Sequence, residues 1–134
     1  MLAFRHQLQV EFYCSMSQSF AAGDYLTFQL ESGYGLLRIL AVEGEGAERL
    51  WHISVYEELF PDIEPAEKAL DHPELLHTSK AHLALTERAF ERTPAAKLGH
   101  APLAENELAA YHHWDESAER SVFDRSLLLL LGMR

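Results

Sequence analysis

The sequence predicts an α+β fold. An N-terminal antiparallel meander should curl toward a small barrel, with helices and a further short strand in the C-terminal half. Three observations predict it. Apolar and polar residues alternate with period two near the N-terminus, short apolar runs separated by glycine turns follow as far as Tyr56, and proline-punctuated, helix-spaced segments then take over.

The elements follow in order. Phe4, His6, Leu8, Val10 and Phe12 alternate with Arg5, Gln7, Gln9 and Glu11, the pattern of a strand with one wet face. Gly23-Asp24 opens a second strand, Tyr25–Leu30. Glu31-Ser32-Gly33 turns into a third, Tyr34–Val42, and Gly44-Glu45-Gly46 turns into a fourth, Arg49–Tyr56. Curling such a meander removes its edges. Pro61, Pro65 and Pro73 then punctuate an acidic connector from Glu57 to Glu74, with one helical turn after Pro65. Ala81–Leu85 reads as a strand. Thr86 follows as an N-cap for a short helix, Glu87–Arg92, with Phe90 as its buried contact. The clearest helix runs from Ala104 to Ser117, with Glu105 and Glu107 at its positive end. Val122–Leu131 fits helix or strand.

The chain has 134 residues, 48% hydrophobic and 24% charged, which fits one globular domain: strand-rich 1–56, connector 57–74 and mixed helical 75–134. The single cysteine, Cys14, forms no internal disulfide and reads as a plain thiol. The longest apolar run, Leu127–Leu131, falls far short of the roughly 20 residues of a membrane helix. Met1–His6 has no signal-peptide pattern, so a cytoplasmic protein is expected. The formal charge of −10 argues against nucleic-acid and anionic-membrane binding, both of which need a basic face.

Candidate chemistry is sparse. Of eight histidines, no two stand at i and i+4, and His72, His77 and His82 step about 140° around a helix. His112-His113-Trp114-Asp115-Glu116 could supply a metal ligand or general base, and a metal-dependent enzyme built on it is the third reading of function. The carboxylate pairs Glu57-Glu58 and Glu105/Glu107 look solvated, without the apolar setting that acid–base work requires. Gly33-Tyr34-Gly35 and Gly44-Glu45-Gly46 lead into no helix with a nearby lysine, so they read as strand turns. The sequence favours a protein that is not an enzyme, with no catalytic residues, metal or cofactor.

The acidic charge is more informative. Ten acids lie between Glu43 and Glu74 against Arg49 and Lys68, a local −8 on an otherwise nearly neutral chain. Such a stretch reads either as a solvated loop or as a surface matched to a basic partner. On the second reading the partner-binding residues are Glu57, Glu58, Asp62 and Glu64, with Phe60 and Trp51 as aromatic anchors within the charged rim. Tyr56 lies in the same region, and buried core is the rival reading for Trp51 and Tyr56.

Gly23-Asp24, then Gly33-Tyr34-Gly35 and Arg38-Ile39-Leu40, resemble the Gly-Asp strand start, glycine turn and Arg-apolar strand of SH3-like barrels. In particular they resemble the barrel of immunity proteins from bacterial polymorphic toxin systems. The similarity spans about residues 20–56 and carries over no catalytic residue. It implies a cytosolic protein that binds and neutralises a cognate basic toxin, for which a nuclease fits the charge. The alternative is a small-barrel adaptor holding a peptide or modified residue with aromatics such as Tyr25, Tyr34 and Trp51.

Overall fold

The computed structural model describes residues 20–132. The predicted Phe4–Phe12 strand and Cys14 lie outside them. The fold is α+β. Five strands, β1 (Asp24–Leu30), β2 (Gly33–Glu43), β3 (Leu50–Phe60), β4 (Thr78–Thr86) and β5 (Ala95–His100), form one antiparallel sheet in the order β4-β3-β2-β1-β5. The helices among the described residues are α1 (Ile63–Ala69), α2 (Glu87–Glu91), α3 (Glu105–Glu116) and α4 (Leu127–Leu130), with 3-10 turns at Gly46–Glu48 and Pro73–Leu75.

The meander arises from its turns. Leu30 pairs directly with Gly33 across a two-residue turn, and a Cβ on Gly33 would lie 2.4 Å from the Phe60 carbonyl oxygen, so only glycine lets β3 approach there. Gly44, at φ +77°, takes the left-handed conformation that ends β2. Thr86 caps α2 as expected, its hydroxyl accepting the Ala89 N–H at 3.1 Å. Helix α1 begins before the predicted Pro65 turn because Asp62 caps it, accepting the Ile63 N–H at 2.8 Å.

The sheet curls without closing into a barrel. β4 and β5 occupy opposite edges, and only residues 87–94 join them. Four strand spacings in a flat sheet would span roughly 19 Å, and a link this short, half of it helical, draws the edges together. Register shifts in β1–β5, β2–β3 and β3–β4 add local twist. The outer edge of β4 is covered in part by Phe123, which exchanges backbone hydrogen bonds with Ala84 and Thr86.

The concave face holds the apolar core. Leu26, Phe28 and Leu30 of β1, Leu37 and Ile39 of β2, Trp51, Ile53 and Val55 of β3, and Leu85 of β4 pack with Phe20, Phe90 and Leu127. The Trp51 and Phe90 rings stack at 4.1 Å. The indole N–H donates to Glu87 at 2.7 Å, so the one polar atom of this pair is satisfied. α3 lies against the other side of the sheet, with Tyr111 and Trp114 over His52, and α1 packs against β2 and β3. On that other side Arg38 and His52 are buried in a second layer, together with Leu36 and Leu40.

Candidate functional site

The acidic connector folds as a continuous exposed margin, from the end of β3 through α1 to the Pro73–Leu75 turn. Glu57, Asp62 and Glu64 are exposed, and Glu58 and Phe60 are half-buried. Glu58 is tied back to the start of β4. It accepts the His77 backbone N–H at 3.0 Å and lies 2.6 Å from His77 Nδ1. Desolvation pushes the Glu58 carboxyl up, but the His77 hydrogen bonds outweigh it and hold its pKa below the usual value. They hold the His77 imidazole above its own. Leu59, Ile63 and Leu75 are also exposed on this stretch, at 48%, 40% and 70%. Trp51 does not join them. It is 1% exposed and belongs to the apolar core.

Beside this margin, on the face away from the core, lies a cleft of about 400 Å³. One wall is Pro73, Glu74 and Leu76, and the other is Asn106 and Glu107 at the start of α3; Thr78, Tyr25 and Tyr56 complete it. The two tyrosine rings stack at 6.4 Å. Burial raises both phenol pKa values, and the neighbouring Glu107 adds to the effect. Behind them Arg38 is buried to 1% exposure. It donates to the carbonyls of Gly23 (2.6 Å) and Pro102 (3.1 Å), pairs with Glu107 at 3.1 Å, and places its guanidinium 4.0 Å over the Tyr25 ring. Each nitrogen of this buried guanidinium thus has an acceptor, as burial demands.

Further along the same face, His52 is completely buried between β2, β4 and α3. Its Nδ1 lies 2.9 Å from His82 Nε2, and its Nε2 lies 2.9 Å from a Glu43 carboxylate oxygen. The carboxylate selects the tautomer. With the proton on His52 Nε2, an N–H faces the negative oxygen and His82 donates to Nδ1. The reverse assignment sets a lone pair against the charge. That N–H makes a charge–dipole contact rather than a good hydrogen bond. The same Glu43 oxygen already accepts the Tyr111 hydroxyl at 2.9 Å. The Tyr111 and Trp114 rings close over His52 at 4.5 and 4.7 Å. Burial lowers the His52 pKa against the pull of Glu43. Burial and then the charge on His52 lower His82 to about 4, while burial and the bond to Glu43 push Tyr111 up to about 12.

No family model matches the chain, and neither a curated protein nor a solved structure matches it. The site therefore rests on its own geometry.

That geometry separates the predicted histidines from the ones the fold buries. His112 and His113 are exposed, and it is Tyr111 and Trp114 of the same segment that face the sheet. Among the described residues no three His, Cys, Asp or Glu side chains converge to hold a metal ion. No helix among them is long and apolar enough to cross a membrane. Of Tyr25, Tyr34 and Trp51, only Tyr25 lines the cleft, where it stands beside Tyr56. His52 is absent from the sequence-based candidates, His82 enters them only as a metal ligand, and Tyr56 only as an aromatic anchor beside the acidic stretch. Period two was the available signal, because His52, Ser54 and Tyr56 alternate with Trp51, Ile53 and Val55 and so share one face of β3.

Proposed function

We propose that this chain is a non-enzymatic binding protein of immunity type, which docks on a basic protein and neutralises it. The partner that fits the charge is a nuclease toxin, met in the cytoplasm. The observation that carries this reading is the segregation of charge. Of the local −8 between Glu43 and Glu74, −6 falls on the exposed margin from Glu57 to Glu74, which also displays Leu59, Ile63 and Leu75. Apolar side chains inside a charged rim are the anatomy of a docking surface, and complementary charge speeds encounter and rejects wrong partners. The similarity of residues 20–56 to SH3-like immunity proteins points the same way. The adaptor reading uses the same surface, with the tyrosine cleft holding one side chain of a peptide.

The test is capture from the native host with the wild type and with a Glu57→Gln, Glu58→Gln, Asp62→Asn, Glu64→Gln variant. Asparagine at 62 keeps an N-cap for α1. The expected result is a protein with a basic domain, held by the wild type and not by the variant, whose toxicity falls when the wild type is added. Equal retention by both proteins, or a captured partner whose activity is unaffected, contradicts the proposal.

A further inference from the structure

The cleft beside the acidic margin is lined by two phenol rings and two carboxylates. Tyr25 and Glu107 form one pair of phenol ring and carboxylate, and the chain places its own guanidinium on it: Arg38 lies 4.0 Å over the Tyr25 ring and 3.1 Å from the Glu107 carboxylate. Tyr56 and Glu74 line the same cleft. Among the described residues no lysine or arginine lies within ion-pair distance of Glu74, whose neighbour is the His72 ring at 3.6 Å, and none stacks on Tyr56. The positive end of α3 does not oppose a cation here, because Glu107 covers it by accepting the Ala104 N–H at 2.9 Å.

We propose that Tyr56 and Glu74 bind the guanidinium of one arginine side chain from the basic partner, stacked on Tyr56 and paired with Glu74. This rests on the binding function proposed above and names the group that the surface recognises. Arginine is preferred over lysine for a physical reason. A planar guanidinium can lie flat on a phenol ring while its edge meets a carboxylate, as Arg38 does on Tyr25, whereas an ammonium is a compact, strongly hydrated point charge. A cleft of about 400 Å³ is large enough for a side-chain tip and lies within the size range of small-ligand sites.

The experiment is an NMR titration of the full chain with N-acetyl-arginine amide, N-acetyl-lysine amide and the uncharged N-acetyl-citrulline amide. The expected result is a saturable millimolar response to the arginine compound at Tyr56, Glu74, Thr78 and Asn106, several-fold weaker binding of the lysine compound, and none of citrulline. Glu74→Gln, at an exposed position, should weaken the arginine response about threefold or more without unfolding the protein. Tyr56→Phe should keep it and Tyr56→Leu should lose it. No response at the cleft, or equal responses to arginine and either analogue, overturns the assignment. Because the probe needs no protein partner, that failure leaves the capture experiment intact. Conversely, a charge-independent capture would leave the cleft result standing.

Discussion

Strand β3 presents two surfaces that are equally shielded from water and chemically opposite. Trp51, Ile53 and Val55 enter the apolar core at 2% exposure or less, while His52 and Ser54, between them, are buried at 0% and 8%. The first set is covered by apolar side chains and the second by rings, carboxylates and an arginine from α3 and β2. Depth alone therefore does not mark the core. The concave face holds the molecule together, and the opposite face holds charged and aromatic groups in fixed positions next to the acidic margin. Dispersion and desolvation favour the first without reservation, whereas every gain in the second is set against the cost of removing polar groups from water.

That comparison is broken if the two faces respond alike to substitution. The largest effect is expected from Trp51→Ala, which empties the stack on Phe90 and leaves Glu87 without the indole donor. A loss of about 3–5 kcal/mol should appear as a lower urea midpoint at unchanged slope. On the polar face Arg38→Met leaves two buried carbonyls and Glu107 without their donor. It should cost about 2–3 kcal/mol in the same measurement, held down because Glu107 is 28% exposed and regains water.

Acid should weaken the polar face selectively. His52 and His82 both titrate below their ordinary 6.5 when folded, and His82 near about 4. Above pH 6.5 neither state binds these protons, so stability is flat. Between 6.5 and about 4 the unfolded chain takes them up first and the fold weakens as pH falls. Because His82 is half-exposed, the loss is on the order of 1–2 kcal/mol after solvent screening. Urea midpoints at neutral and acid pH should show it, and His82→Asn should flatten the profile. His77 sharpens the contrast. Its folded pKa is raised and that of Glu58 lowered, so their pair contributes fully between 4.5 and 6.5 and fades as pH rises through the His77 midpoint. NMR titration should place the two histidines on opposite sides of 6.5. The smallest effect is expected at His112→Ala and His113→Ala, which face solvent and should change stability by no more than about 0.5 kcal/mol.

Local rules made much of this fold legible. Glycine turns place β1 to β3 within a few residues, Thr86 marks the start of α2, and helical spacing finds α3. β5 escaped notice because Ala95-Ala96-Lys97-Leu98-Gly99-His100 has no β-branched or aromatic residue; it is a strand because β1 offers it a free edge. Val122–Leu131 resolves into a bridge at Phe123 and one turn of α4, set by Thr93, whose hydroxyl accepts the Leu127 N–H. The acidic residues of the candidate surface were legible because charge runs stay at the surface. The partners of His52 were not, because Glu43, His82, Tyr111 and Trp114 come from three separate elements. Trp51 misled for the complementary reason: lying close in sequence to the acidic stretch says nothing about which face of β3 it occupies.

The most direct test of the account is the salt dependence of partner affinity, measured for the wild type and for the variant neutralised at Glu57, Glu58, Asp62 and Glu64. The wild type is expected to weaken steeply as salt rises. The variant should be weaker at low salt and respond less, and the two should converge near about 1 M, where the screening length is roughly 3 Å. Parallel curves of equal slope would show that the acidic margin is a solvated loop and not the docking surface.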